Sequence, residues 1–434
     1  MAAFSAREQL MLELINRARL NPNAEAARQG ITLNQGIGAG TISGAAKQPL
    51  APNELLVDSA RAHSQWMIDN DIFDHIGAGG STPFNRMTAA GYGPLLTAGE
   101  NIAFRGTTGS VPFTNFVILE HNDLFKSTSG HRENILNPNF REIGIGALTG
   151  QFTTSQGTFN SVLTTQNFAT HSNQPIVTGV AYNDTTINDN FYSVGEGRSG
   201  ITVTIDQTVD VVTTTAAAGG YAATASAGAA DVTFSGGGLA TPVTVGVTLG
   251  SLNVKIDLVN SRSIESSAST TLKSGALHLK LLGIAAINGT GNASANHITG
   301  NDGKNKLFGG DGKDILTGGR GADTLNGGPG ADDFDFNSLK DSGLSSGTRD
   351  IIRGFQRGID DIDLRGIDAK SGVAGNQAFK YIGMQSFHHV KGELHLVDTG
   401  ANIRVEGDVN GDGKADFQIM VIGVASLAKG DFLL

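Results

Sequence analysis

Apolar residues recur at helical intervals through the first third of the chain. In FSAREQLMLELINRARLNP, Leu10, Leu14 and Ala18, with Met11 and Ile15, fall on one face. Ser5 and Glu8 stand at capping-box spacing and Asn21-Pro22 closes the run, which predicts an amphipathic helix. In NELLVDSARAHSQWMIDND, Leu56, Ala60, His63 and Met67 keep the same period, turning His63 inward as a packing residue. Ser81-Thr82-Pro83 caps a third helix with proline at its first position, and a fourth spans about residues 112–126. SGHRENILNPNFREIGIGAL and SVLTTQNFA carry strand character, so residues 1–170 read as one mixed helix and strand domain. Over about 176–260, from TGVAYND to VKIDLVN, small and β-branched residues alternate with few charges, as in a small antiparallel β-sandwich.

Beyond residue 260 the period becomes nine. GGDGKDILTGGRGADTLNGGPGADDFDF, residues 309–336, sets Gly-Gly at the head of each phrase. Asp314, Asp323 and Asp332 share one slot, and Leu316, Leu325 and Phe334 fill a single apolar slot. GNDGKNKLF, residues 300–308, is a weaker copy with Asn305 in the Asp slot, and Asn296 marks a fainter one. Stacked strand-and-turn units of this kind build a parallel β-roll, and the pattern resembles the calcium-binding repeat of RTX proteins. Glycine pairs permit the positive φ of tight turns, while carboxylates and turn carbonyls are the hard oxygens of which Ca²⁺ takes about six to eight. The candidate calcium ligands are Asp302, Asn305, Asp311, Asp314, Asp323 and Asp332. A flexible linker would need no register.

Composition restricts the function classes. Glycine, 60 of 434 residues, is about twice its ordinary share. Cysteine is absent, so neither disulfides nor thiolate metal sites are available. Asp and Glu outnumber Lys and Arg by 41 to 31, which argues against a nucleic-acid partner. No apolar run suits a signal peptide or a membrane span.

Three family resemblances extend this reading. TRDIIRGFQRGIDDIDLRGID, EGDVNGDGKADFQIMVIG and GDFLL resemble the serralysin-type C-terminal domain, over about 290–434. That resemblance implies a β-rich cap over 338–434 behind the roll of 261–337. It also implies export by a type I secretion apparatus that reads the segment Asp431, Phe432, Leu433 and Leu434. In DVNGDGKAD, Asp408, Asn410, Asp412 and Asp416 alternate as calcium ligands would; the other reading is a polar hairpin turn around Asp412-Gly413, since the Glu of an EF-hand is missing. GVAYNDTTINDNFYSVGEGRSGITVTI resembles prealbumin-like B-type repeat domains. There Asp184, Asn188, Asp189 and Glu196 form either a calcium site or a plain polar loop, in a module expected to act as a spacer.

ELINRARLNP, ARAHSQWM, FDHIGAGGSTPFNRMTAAGY, AGENIAF, GHRENILNPNFREIGIG and TQNFA occur in the order found in bacterial members of the CAP superfamily. The resemblance implies an α-β-α sandwich with an open cleft, where two His and two Glu can hold a divalent cation. His75, Glu100 and His131 fill three of those positions; Glu120 and His121 lie near the fourth but out of register. Two imidazoles and a carboxylate can hold Zn²⁺ with a position open for water, or form a hydrogen-bonded cluster that fixes the cleft loops. Arg132 and Asn134 are expected to stitch their loop to the sheet. The chain as a whole reads as a multidomain, secreted calcium-binding protein whose cleft takes a lipid, sterol or peptide. The alternative is a metal-dependent hydrolase, a peptidase. Cytosolic calcium is too scarce to order the roll, so folding is expected to follow export.

Overall fold

The computed structural model describes residues 3–434. The chain forms two compact units: residues up to 242 with 248–261, and residues 243–247 with 262–434.

The first unit begins with α1 (Ala6–Leu20) and α2 (Pro22–Arg28), then β1 (Ala51–Pro52), α3 (Glu54–Asn70), α4 (Pro83–Ala89), β2 (Thr97–Thr107), α5 (Phe113–Lys126), α6 (His131–Ile135), β3 (Glu142–Thr154) and β4 (Gly157–Thr170). The predicted caps form. Ser5 Oγ accepts from Glu8 N at 3.3 Å while Glu8 returns to Ser5 N at 2.7 Å, and Thr82 caps α4 with Pro83 in its first turn. The four strands pair in the order β1-β3-β4-β2. On one face α3 lies directly on β3, because Gly144 and Gly146 carry no side chain there; a Cβ would meet Leu56 C at 2.0 Å and Arg61 N at 2.4 Å. On the other face Met11, Ile15, Val117, Leu124 and Phe125 of α1 and α5 pack on Ile143, Ile145 and Phe168. Helices thus lie on both faces of this sheet, and the N-terminal domain is α/β.

Eight further strands follow: β5 (Ile176–Tyr182), β6 (Ile201–Asp206), β7 (Val211–Thr214), β8 (Gly220–Thr224), β9 (Gly228–Gly236), β10 (Val243–Leu249), most of which belongs to the second unit, β11 (Val254–Val259) and, in the second unit, β12 (Ser263–Ser266). Residues 176–242 and 248–261 are not the spacer expected from sequence, because they cover the outer face of α1 within the first unit. Leu10 and Leu14 pack against Val180, Tyr182, Tyr192 and Val259, and each such burial contributes about 1.5–3 kcal/mol. Lys255 is buried between Glu13, at 2.9 Å, and Asp257. Asn253, also buried, donates to Pro49 O at 3.0 Å and Arg141 O at 2.7 Å. An α1 that is apolar on two faces therefore has two partners.

The second unit continues with β13 (Thr270–Leu272), β14 (His278–Leu281), β15 (Gly289–Thr290), β16 (His297–Thr299), β17 (Lys306–Phe308), β18 (Ile315–Thr317), β19 (Thr324–Asn326), β20 (Asp333–Asp335), β21 (Asp350–Arg353) and β22 (Asp361–Asp363). These pair in parallel with every second strand, so one coil of the roll consumes two nine-residue phrases: Ile298 sits beside Leu316, and Leu316 beside Phe334. Between the two sheets Ile298, Leu316, Phe334 and Ile362 face Leu307, Leu325 and Ile352, and all seven are buried. The cap follows as β23 (Lys380–Gly383), β24 (Glu393–Asp398), β25 (Asn402–Asp408), β26 (Phe417–Ile422) and β27 (Phe432–Leu433). β26 extends one sheet beside β21, and β27 extends the other beside β22.

Candidate functional site

His75 lies on the loop between α3 and α4, and three groups hold that loop. Buried His63 Nε2 meets Asp74 O at 3.0 Å, and Arg86, in the last turn of α4, donates to His75 O at 3.0 Å and Ser81 O at 2.8 Å. The same guanidinium donates to Glu100 Oε2 at 2.6 Å, while Glu100 Oε1 faces His75 Nδ1 at 2.9 Å. Both oxygens of this buried carboxylate are thus engaged, and Arg86 balances its charge. His131, at the start of α6, places Nδ1 2.9 Å from Ser127 Oγ; burial first, and then nearby His75, lowers its pKa. Among the described residues the Nε2 atoms of His75 and His131 have no protein partner.

The neighbouring residues behave as the sequence implies. Buried Arg132 donates to the carbonyls of Phe125, Lys126, Leu33 and Gln35, and Asn134 donates to Glu100 O at 3.2 Å and Asn101 Oδ1 at 2.9 Å. Glu120 and His121 point elsewhere. Glu120 accepts from Thr164 Oγ1 at 2.6 Å and is pushed up to about 8 by burial; His121 faces Glu25 at 3.5 Å, its pKa lowered by burial. Arg86, which sequence reasoning passed over, is the residue that ties the loop to the sheet. Ile72, Phe73, Ile76 and Phe84 are exposed around His75, and Phe73 lies 6.2 Å from the Phe104 ring.

The roll brings its repeat aspartates into two buried columns. In one, Asn296 N donates to Asp314 Oδ1 at 2.7 Å, Asp314 N to Asp332 Oδ1 at 3.0 Å and Asp332 N to Asp360 Oδ1 at 3.1 Å. In the other, Asn305 N donates to Asp323 Oδ1 at 2.7 Å and Asp323 N to Asp350 Oδ1 at 2.8 Å. The second oxygens of Asp314, Asp323, Asp332 and Asp350 are buried without a hydrogen-bond partner. Burial pushes Asp314 up to about 6, Asp323 to about 7 and Asp350 to about 8, and raises Asp332 and Asp360 as well. A buried oxygen of this kind needs a proton or a cation.

The head glycines lie against these oxygens. A Cβ on Gly309 would lie 2.3 Å from Asp314 Oδ2 and 2.5 Å from Gly327 O; on Gly318 it would lie 2.7 Å from Asp323 Oδ2 and 3.0 Å from Asp350 Oδ2. Carboxylate and carbonyl oxygens therefore converge where only glycine fits. Asn305 closes its column differently: Oδ1 accepts from Asn301 N at 2.8 Å, and Nδ2 donates to Ile287 O at 2.6 Å and Asn301 Oδ1 at 3.0 Å. Its amide is satisfied by the protein alone. Asp302 and Asp311 stand at exposed turn positions outside the columns. Asp350 and Asp360 were missed, although each precedes a buried Ile352 or Ile362 at the spacing of Asp314 and Leu316.

The remaining candidates organise loops. Asp408 accepts from Gly411 N at 2.6 Å and Gly413 N at 2.9 Å, and Asp416 from Val409 N at 2.7 Å and Asn410 Nδ2 at 2.7 Å. Asn410 and Asp412 accept from Asp412 N and Lys414 N, so the segment is arranged as the polar hairpin turn between β25 and β26. Glu196 accepts from the backbone of Thr186 at 2.8 Å and Ser193 at 2.7 Å, and Asp184 from Asn190 N at 2.9 Å. Among the described residues no three His, Asp or Glu side chains form a metal cage, and no helix is long and apolar enough to cross a membrane.

Comparison with known proteins agrees with this architecture at both ends. Residues 12–168 match the model of the cysteine-rich secretory protein family, the CAP domain, and residues 288–434 match that of the peptidase M10 serralysin C-terminal domain. The chain thus carries a CAP domain at its N-terminal side and a serralysin-type domain at its C-terminal side. It is 35% identical over 145 residues to an uncharacterized protein of Bacillus subtilis (strain 168), YkwD, a match covering 33% of this chain and 44% of that protein. The chain therefore spans less than half of that relative. An extracellular protein containing a SCP domain from Bacillus anthracis str. Ames aligns at 25% identity over 34% of this chain and 37% of its own, TM-score 0.22. The AlgE6R3 subunit of the Azotobacter vinelandii mannuronan C5-epimerase aligns at 23% identity over 35% of this chain and 80% of its own, TM-score 0.25.

Proposed function

We propose that this is a secreted CAP-domain protein whose roll folds around calcium after export through a type I secretion apparatus, and whose cleft binds a lipid, sterol or peptide. The buried, unpartnered oxygens of Asp314, Asp323, Asp332 and Asp350 carry the calcium half of the reading. Each would be one ligand, with Asp360 continuing its column, and turn carbonyls would supply most of the rest. Asp431 accepts from Gly358 N at 2.8 Å and Phe432 is buried beside β22, so this half of the proposed export segment is covered once the domain folds.

The state of Glu100 favours binding over hydrolysis at the cleft. A zinc set needs a third protein ligand beside two imidazoles. With Arg86 and His75 holding both Glu100 oxygens, His75, Glu100 and His131 do not fit that ion as a set. What remains is a charge-balanced cluster beside a loop that exposes Ile72, Phe73 and Ile76, with Phe84 exposed on α4, apolar surface suited to an apolar ligand. The hydrolase alternative keeps one point in its favour, the carboxylate-oriented His75 ring, an arrangement also used to support metal ligands. The full chain, purified in calcium, separates the two when offered a dansyl fatty acid, a fluorescent sterol and a peptide-substrate library. Saturable capture without turnover is expected. Zinc-stimulated cleavage abolished by His75→Ala would instead establish the hydrolase.

A further inference from the structure

Of the ten histidines, all but His278 and His297 bring a ring nitrogen within 3.5 Å of a protein oxygen. These two stand side by side in the second unit. β14 and β16 pair in parallel, with His278 beside His297 and Leu279 beside Ile298. Leu279 and Ile298 are buried inside the roll, so strand alternation turns both histidines to its outer face, where both are exposed. Their ring centroids lie 6.2 Å apart with the planes at 87°. Ser263 on β12 and Ile315 on β18 occupy the next positions of the same column, so no charged residue flanks the pair there.

Neighbouring strands of a sheet run about 4.7–4.9 Å apart, so the backbone itself holds the two imidazoles at one separation. Each neutral ring carries one nitrogen with a lone pair and nothing in the protein to use it on. The place in the roll matters as well. Asn296, just before His297, fills the slot that Asp314 holds one coil further on. Its Oδ1 accepts from Asn292 N at 2.7 Å and its Nδ2 donates to Leu277 O at 3.1 Å. That slot therefore offers a hard cation no carboxylate, and the donors left at this end of the roll are the two imidazole nitrogens on its surface.

We infer that His278 and His297 together bind one divalent transition-metal ion, which ties β14 to β16 from outside the roll. The class of ion follows from the donors: imidazole suits Zn²⁺, Cu²⁺ and Ni²⁺, whereas Ca²⁺ and Mg²⁺ take oxygen. Side-chain rotation brings one nitrogen of each ring to a shared ion at about 2.0–2.1 Å, and water fills the remaining positions. The site is independent of the histidine cleft and of the aspartate columns.

The test titrates the full chain with Zn²⁺ at pH 7.5 in excess calcium and reads, by peptide mass mapping, how far zinc shields each histidine from carbethoxylation. His278 and His297 are expected to become shielded together, with one shared midpoint. His297→Gln should raise the midpoint at His278 by about tenfold or more, and His278→Gln should do the same at His297. Both side chains are exposed, so these variants keep the fold, as far-UV circular dichroism will show. No saturable shielding of either histidine, separate midpoints for the two, or an unchanged midpoint at His278 in His297→Gln would each overturn the inference.

Discussion

Replacing Asp350 with asparagine isolates one buried oxygen of the roll. Asp350 Oδ1 accepts from Asp323 N at 2.8 Å while Oδ2 is buried and unpartnered, and burial holds the carboxyl up to about 8. In the unfolded chain the same group titrates near the ordinary carboxylate value of about 3.9. The folded, calcium-free roll therefore binds an extra proton between those limits. Stability from this group is greatest at low pH, falls as pH rises through the window, and levels off above about 8. At pH 7.5 keeping that proton costs on the order of 5 kcal/mol relative to the ionised unfolded chain. Asparagine keeps the Oδ1 acceptor and removes the titration. In chelator, where the roll is unfolded at pH 7.5, lowering the pH to 6 should favour its folded state by about 2 kcal/mol more in wild type than in Asp350→Asn, read as a larger gain of far-UV circular dichroism signal. With calcium present, Asp350→Asn should need at least tenfold more ion to fold. Identical pH dependence of the two proteins in chelator would refute the reasoning.

Three further outcomes follow from individual contacts. Lys255→Ala leaves Glu13 and Asp257 uncompensated in a buried site and should destabilise the first unit by about 3–5 kcal/mol, read by thermal unfolding with Trp66 fluorescence. Glu120 is held up to about 8 by burial, so its contribution also declines as pH rises from 5 to 8; Glu120→Gln should flatten that decline and add on the order of 4 kcal/mol at pH 8 in chemical denaturation. Gly318→Ala puts a methyl 2.7 Å from Asp323 Oδ2 and 3.0 Å from Asp350 Oδ2, and should remove one calcium equivalent in isothermal titration while the first unit melts unchanged.

The sequence disclosed most clearly what depends on local register. The nine-residue phrase placed Asp314, Asp323 and Asp332 in one slot and Leu316, Leu325 and Phe334 in another, because a roll repeats its backbone as it repeats its residues. Asp350 and Asp360 kept the spacing to a buried Ile but lost the Gly-Gly head, so they escaped a search keyed to glycine. Asn305 looked like a ligand by position, yet an amide can donate as well as accept, and the protein itself uses it up. Arg86 was invisible for another reason. A single arginine on a short polar helix says nothing of the carboxylate it meets across the cleft, and only the fold brings α4 to Glu100. The docking of residues 176–242 and 248–261 did leave a trace: Leu10, Met11, Leu12, Leu14 and Ile15 are too many apolar residues for a helix with one covered face.

Hydrogen exchange of the full chain, with and without millimolar calcium at pH 7.5, tests the central claim most directly. The account predicts that amides of β16 to β22 exchange freely in chelator and become protected when calcium is added, while those of α1, α3 and α5 stay protected throughout. Equal protection of β16 to β22 in chelator would contradict it.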